Sequence, residues 1–388
     1  MAKITDVFPS MARDTSNTHL LQDVGKGYRN LVSRGKYTLT HVLPNMKEAF
    51  SLGHTLEETL FTERVRRTIR GGSGAMTFSS YDNLQSGVKI SAPISYAATP
   101  MAWNESEIAA NLDPSMGPKY VRAQFQKTLD SKHQILKDDC VEDLETGLWE
   151  AADQTAMEAG DKFLSIPYYI TEETSGMALQ ADGSTNITAI NGVTMAQTNN
   201  KYDNVRKTYA TAGGDADDAT DLIGALVSAC RAANFQGMPV GSEYASPESI
   251  PEVILTSDWG CDLVQAAYRN HSGNSWGNME ITPYGLKIGM MTFVNVSILN
   301  DAALYVNAGG NALVAETAAD ITGPRYYGIT RKYMRLLFQK GNFMQPDAPV
   351  NLTEVGKPYD WVQIWKSANQ VWCPDRRRHF IVSPSADI

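Results

Sequence analysis

Cysteine is scarce in this chain of 388 residues: Cys140, Cys230, Cys261 and Cys373 stand far apart and form no CxxC pair. That spacing excludes a zinc knuckle and a disulfide framework and leaves reduced, buried thiols suited to a cytosol. Histidine is scarce as well. His19, His41, His54, His133, His271 and His379 show no HExxH or HxH spacing, so no histidine-built metal site is expected. Long apolar runs are missing: no stretch approaches the roughly 18 residues a membrane helix needs. The start, Met1-Ala2-Lys3-Ile4-Thr5-Asp6, carries no apolar signal core. Neither membrane contact nor secretion is expected.

Catalytic motifs are absent too. Gly71-Gly72-Ser73-Gly74-Ala75 misses the nucleophile elbow GxSxG at its last position, and neither GxxxxGK[ST] nor a strand-borne GxGxxG occurs. The glycines read as a flexible tip. Asp215, Asp217, Asp218 and Asp221 lack the glycine and distal glutamate of a calcium loop, and their simpler role is to favour a helix N-terminus. The sequence therefore offers no catalytic, cofactor-binding or metal-binding residue, and the chain reads as a non-enzyme.

What is present is an ordinary globular composition, 43% hydrophobic and 20% charged, in a chain long enough for two or three domains. The net charge of −9 is unevenly spread. Residues 1–70 carry 11 Lys/Arg against 7 Asp/Glu, and residues 325–388 carry 10 against 5. The middle, 71–324, is left with 13 against 31. Basic ends and an acidic middle suit attraction between neighbouring subunits, or one surface facing a polyanion while another repels it.

The distinctive stretch runs from Thr62 to Trp149. Arg64, Arg66, Thr68 and Arg70 alternate with Val65, Arg67 and Ile69 at the period of a strand, and Gly71 to Gly74 turn the chain. A return limb, Val88 to Trp103 with Pro93 and Pro100, reads as an edge strand. The pair forms a long charged hairpin of the kind that is marginal alone in water and needs another surface to lie on. A long helix follows, with Ser115 as cap and Pro118 in its first turn. At roughly 30 residues it would be about 45 Å long. Its apolar stripe is narrow: Val121, Phe125, Leu129, Leu136, Cys140, Leu144 and Leu148. That stripe suits a helix lying across a sheet.

Helical composition continues through Ala156 to Gly160, Ile166 to Ile170 reads as strand, and Asp182 to Asn200 as a polar loop region. Gly213 and Gly214 open a mixed α/β unit. Its expected elements are a helix from about Ala219 to Ala233, a strand Glu252 to Leu255, and a helix capped by Ser257 or Asp258 and running to Tyr268. Strand-like runs follow at Leu286 to Phe293, Val294 to Leu299 and Ala303 to Val306. The last strands, Arg325 to Phe338, Trp361 to Ser367, Val371 to Trp372 and Phe380 to Val382, are expected to return to the sheet beneath the long helix. The first domain would then be discontinuous.

This order of parts resembles the major capsid protein of tailed bacteriophages, the HK97-like fold. Phe78-Ser79-Ser80-Tyr81-Asp82-Asn83-Leu84, then Tyr96, Trp103 and Asn111 ahead of the helix, look like that family's E-loop-to-spine region. Lys332-Tyr333-Met334-Arg335-Leu336 is similar to a late strand of the family, with Thr330 and Arg331 where Asn-Thr is common. The resemblance implies an α+β, HK97-like capsid fold. Its parts would be an N-terminal arm (1–56), an E-loop hairpin (57–110), a P-domain with the spine helix (111–212), an inserted A-domain (213–324) and P-domain return strands (325–388).

It also implies hexamers and pentamers of a shell enclosing double-stranded DNA, assembled in a host cytoplasm. Partners would include a portal, a separate scaffolding protein and, in some relatives, a decoration protein. The segment before the hairpin is too short for a cleaved scaffolding extension, so an uncleaved Met1 region is expected. Arg64, Arg66, Arg67 and Arg70 are read either as intersubunit contacts, with Phe78 and Tyr81, or as solvated, and Arg376, Arg377 and Arg378 either as facing DNA or an interface or as a solvated strand end. Lys89 is the lone lysine between residues 48 and 118, and with no evident asparagine partner it is not expected to crosslink. The competing readings are an encapsulin-like shell around an enzyme cargo and a soluble enzyme with an unrecognised site.

Overall fold

The computed structural model describes residues 47–50, 55–60, 87–104, 132–133, 135–136, 139–150, 154–171, 189–194, 202–210, 220–235, 252–272, 279–282, 285–300, 323–343, 345–352 and 359–385. In chain order, β1 (Lys47–Phe50), β2 (Thr55–Leu60), β3 (Val88–Pro93) and β4 (Ser95–Asn104) precede helix α1, whose described residues fall within 132–149. Then come α2 (Gln154–Ala159), α3 (Ile166–Tyr169), β5 (Val205–Tyr209), α4 (Leu222–Ala233), β6 (Glu252–Thr256) and α5 (Asp258–Ser272). The remainder is strand: β7 (Met279–Thr282), β8 (Gly285–Ile288), β9 (Met291–Asn295), β10 (Tyr326–Thr330), β11 (Arg335–Gln339), β12 (Gln345–Pro346), β13 (Val350–Asn351), β14 (Asp360–Trp372) and β15 (Phe380–Pro384).

The chain divides into two compact units. The first is built, among the described residues, from 96–145 and 338–369, so it is discontinuous around a long insertion. Its centre is β14, which pairs antiparallel with β12 and β13 and also with β4. Alternation along the strand turns Trp361, Gln363 and Trp365 to one face. There Met101, Trp103 and Leu136 form a buried cluster, with Cys140, Trp361 and Trp365 packed against it. The His133 ring sits 6.0 Å from that of Trp365, and its Nε2 lies 2.7 Å from Gln363 Oε1. Leu136 and Cys140, the stripe residues in this cluster, therefore do lie against a sheet that contains a late strand. The helix start, with Ser115 and Pro118, falls outside the described residues.

The second unit holds 37–95, 146–337 and 370–388. Its seven-stranded sheet runs β5-β15-β10-β6-β9-β8-β7. Here β15 is parallel to β5 and β6 to β9, and the other neighbours are antiparallel. Strands β10 and β15 are interior strands of this sheet, and the end of α1 meets β10 where the Trp149 ring stands edge-on to Tyr327, centroids 5.4 Å apart. Their all-buried patterns explain the placement, because a strand buried along its whole length needs neighbours on both edges and cover on its faces. Leu222, Leu226 and Ala229 of α4 pack with Val264 of α5, Phe293, Tyr326 and Phe380 in one core. At Gly328 a Cβ would fall 2.1 Å from a ring carbon of Phe380, so the ring lies flat on bare backbone.

Local chemistry sets the boundaries. Asp221 caps α4 by accepting from the Leu222 N–H at 3.0 Å, which is the helix-terminus role read for the acidic cluster; Asp215, Asp217 and Asp218 lie outside the described residues. Ser257 caps α5, its Oγ accepting from the Gly260 N–H at 3.1 Å. Ile166 to Ile170 is a correction. Ser165 accepts from the Tyr168 N–H and Pro167 occupies the first turn, so the run forms a short helix and not a strand. The run Leu286 to Phe293 is two strands, divided at Gly289, where φ is +57°. Of the expected strand Val294 to Leu299, Val294 and Asn295 belong to β9 and the rest runs into a 3-10 turn, Ser297–Asn300; Ala303 to Val306 lies outside the described residues.

Candidate functional site

The hairpin is visible at its base. β2 and β3 pair from Thr55 opposite Pro93 to Leu60 opposite Val88, so the outgoing limb begins before Thr62. Ile90 and Ala92 are fully buried, and the Ser91 N–H donates to the Asn191 carbonyl at 3.1 Å. Asn191 and Gly192 both have positive φ inside the bridge Ile190–Val193, the Asn-Gly signature of a tight two-residue turn. That turn sits inside the segment read as polar loop. The base of the hairpin thus rests on its own chain. Lys89 pairs with Glu57 at 2.6 Å on the exposed face, a contact worth little in water. Arg64, Arg66, Arg67, Arg70, Phe78 and Tyr81 lie outside the described residues.

Arg376, Arg377 and Arg378 form a 3-10 turn, and the expectation of one basic surface there needs correction. A three-residue period sends adjacent side chains in three directions. Arg377 is exposed and pairs with Asp375 at 2.9 Å. Arg378 is half-buried, its guanidinium 5.7 Å from the centroid of the Tyr333 ring. Arg376 is fully buried. Its Nε donates to the Tyr169 carbonyl at 2.6 Å, Nη1 to the Tyr202 carbonyl at 3.0 Å, and Nη2 to Thr171 Oγ1 at 3.3 Å and Asn204 Oδ1 at 2.9 Å.

A connected set of buried polar groups surrounds that guanidinium. Asn204 Nδ2 donates to the Thr171 carbonyl at 3.0 Å, Tyr202 Oη to the Cys373 carbonyl at 2.9 Å, and Tyr169 Oη to the Val371 carbonyl at 3.0 Å. Arg206 grips Asp203 through two contacts of 2.7 and 2.6 Å. Burial lowers the pKa of Arg376 and raises those of Tyr169 and Tyr202. The tyrosines therefore stay neutral donors, while guanidinium keeps its charge at any accessible pH. The set joins three stretches of chain, 169–171, 202–206 and 371–376. Arginine alone among side chains offers five fixed donors for such a task.

His379 follows the turn and is fully buried. The Thr330 N–H donates to its Nδ1 at 3.2 Å, and burial, the largest influence, moves its pKa from the ordinary 6.5 to about 3. A base whose folded pKa is depressed contributes stability above its ordinary value that is lost as pH falls toward the folded one. The contribution of His379 to folding stability is therefore expected to shrink on acidification from pH 6.5 toward 3. Urea titrations of wild type and His379→Gln at matched pH should show the gap between the two narrowing across that window, because glutamine keeps the acceptor and takes no proton. Parallel curves would remove His379 as the cause.

None of these groups forms a reactive site. Burial raises the thiol pKa of Cys230 and of Cys261 to about 12 and that of Cys373 further still, the reverse of nucleophile activation. Among the described residues no group of three metal-ligating side chains occurs. No described helix is long and apolar enough to cross a membrane. What the described surface does present is exposed apolar side chains on each unit. The first unit shows Tyr96, Val350 and Ile364, and the second Trp259, Ile281 and Met290.

No family model matches the chain, and no curated protein matches it. Solved structures do match along nearly the whole length. The capsid asymmetric unit of cyanophage A-1(L) is 13% identical, with 92% of this chain and 94% of that chain covered at a TM-score of 0.50. That of cyanophage Pam1 is 10% identical, covering 93% and 95% at 0.47. A structure from Mycobacterium phage Bobi is 12% identical, covering 95% and 98% at 0.46. The likeness to the A-1(L) subunit establishes the fold: this chain has the HK97-like architecture of phage capsid subunits.

Proposed function

We propose that the chain is the major capsid protein of a tailed phage, a non-enzymatic subunit that assembles into an icosahedral head around double-stranded DNA. The observation that carries this reading is the end-to-end match to a capsid subunit, 92% of one chain on 94% of the other. The exposed apolar residues on both units suit it, since surfaces covered by neighbours are where such side chains belong. On this reading the extension beyond Leu60 and Val88 is the E-loop reaching over the next subunit. The α/β insertion, about 213–324, is the A-domain meeting its copies at local symmetry axes. Many modest contacts repeated around a closed shell hold it together. The partners would be a separate scaffolding protein, a portal and packaged DNA, and the location the virion.

The test is assembly. Co-expression with the scaffolding protein should yield closed shells by sedimentation and electron microscopy, and particles from an infected host should contain nuclease-protected DNA. A monodisperse monomer under every assembly condition would overturn the reading. Shells that hold a folded enzyme instead of DNA would transfer it to a nanocompartment.

A further inference from the structure

Glu252 is the first residue of β6 and stands opposite Thr330 of β10 in the ladder, 8% exposed. Its Oε1 lies 3.4 Å from Thr330 Oγ1, and that same hydroxyl lies 2.9 Å from the Arg378 carbonyl oxygen. A hydroxyl carries one proton. The carbonyl can only accept, so the shorter contact takes that proton and a lone pair is left facing Glu252. A carboxylate has no hydrogen to offer there, whereas a carboxylic acid has one. Cys230 on α4 and the Arg378 guanidinium from the 3-10 turn also influence the site. Burial is the largest influence on the Glu252 carboxyl and raises it to about 7, with Thr330 and Arg378 acting in the opposite direction.

We propose that Glu252 is a proton-operated latch on the turn Arg376–Arg378. Protonated, the carboxyl donates to Thr330 Oγ1 and leaves the hydroxyl to hold the Arg378 carbonyl. Ionised, it attracts the hydroxyl proton and the carbonyl is released. The balance is simple: the carboxyl proton goes to solvent, the Thr330 O–H rotates, and no heavy-atom bond changes. Once released, the turn keeps the Asp375 cap on the Arg377 N–H, the His379 N–H to the Arg376 carbonyl, and the Thr330 N–H to His379. The sign follows from linkage. An acid whose folded pKa is raised contributes stability that is complete below its ordinary value of 4.5 and is lost as pH rises through about 7. The latch is a property of the folded subunit and does not depend on the shell reading.

Two measurements on the full chain test it. Selective carboxyl-carbon labelling of glutamate, with the Glu252 signal assigned by Glu252→Gln, should show a carboxyl titrating near 7. Hydrogen exchange over residues 374–380, corrected for the intrinsic effect of pH, should show protection falling about tenfold from roughly pH 6 to 8 in the wild type. In Glu252→Gln, whose amide donates to Thr330 as the acid does, protection should stay constant. A carboxyl titrating at its ordinary 4.5, or equal pH dependence in the two proteins, would overturn the latch. Should Glu252→Gln fail to fold, Thr330→Val provides the second arm. Without the hydroxyl its turn should lose the pH dependence, and retention of it would count against the proposal.

Discussion

Arg376→Met should cost the subunit about 3–5 kcal/mol, enough to leave it largely unfolded on expression, while Arg377→Met should change stability by less than about 0.5 kcal/mol. The two side chains are neighbours in sequence and both cationic, so the contrast rests on environment alone. Removing the Arg376 guanidinium strands the carbonyls of Tyr169 and Tyr202 in a buried space, while Asn204 Oδ1 keeps the Thr171 N–H and hydroxyl as donors at 3.3 and 3.1 Å. Each orphaned acceptor costs about 1–3 kcal/mol. Asp203 does not add to the loss, because Arg206 holds it at 2.6 Å whereas Arg376 stands 3.8 Å away. Arg377 leaves only an exposed pair with Asp375. Arg376→Lys should be intermediate in stability, since one ammonium cannot reproduce four donors at fork geometry. Soluble yield and denaturant midpoints of the three variants read this out. Equal midpoints for Arg376→Met and Arg377→Met would show that the network is not a source of stability.

That contrast marks what the sequence could and could not reveal. Elements whose ends are written in cap residues were legible: Asp221 before α4, Ser257 before α5, and Glu252 opening a short apolar strand. The seating of the long helix was legible too, because Leu136 and Cys140 fall on one narrow stripe and a tryptophan-bearing late strand supplies the facing surface. Short apolar runs were not. Five residues such as Ile166 to Ile170 show no period long enough to separate strand from helix, and the decision came from Ser165 and Pro167. Sheet membership of β10 and β15 was hidden as well, since pairing partners far apart in sequence leave no local mark. The buried network was the least visible part. Its members, Tyr169, Thr171, Tyr202 and Asn204, carry no motif, and Arg376 looked like surface charge because three adjacent arginines conceal which one turns inward.

Glutamate at Arg64, Arg66 and Arg67 together should reduce shell yield more than tenfold while leaving the fold of the subunit intact. All three follow Leu60 in sequence, where the described pairing of β2 with β3 ends. Arg64 and Arg66 share one side of a period-two pattern, and the central part of the chain, 71–324, carries 31 acidic against 13 basic residues to oppose them. Charge pairs of this kind contribute about 0.2–1 kcal/mol each when exposed. In a monomer that sum is negligible. In a closed shell the same loss recurs at every subunit, attraction becomes repulsion, and a change of about 1.4 kcal/mol per contact shifts each association step tenfold. Wild-type assembly should also weaken as salt rises, because the Debye length contracts from about 10 Å at 0.1 M to about 3 Å at 1 M. Sedimentation profiles and particle counts test both effects, and circular dichroism with thermal melts tests the intact fold. Normal shells from the triple variant would remove the arginine arm from the assembly interface and leave the apolar surfaces of the two units to hold the shell.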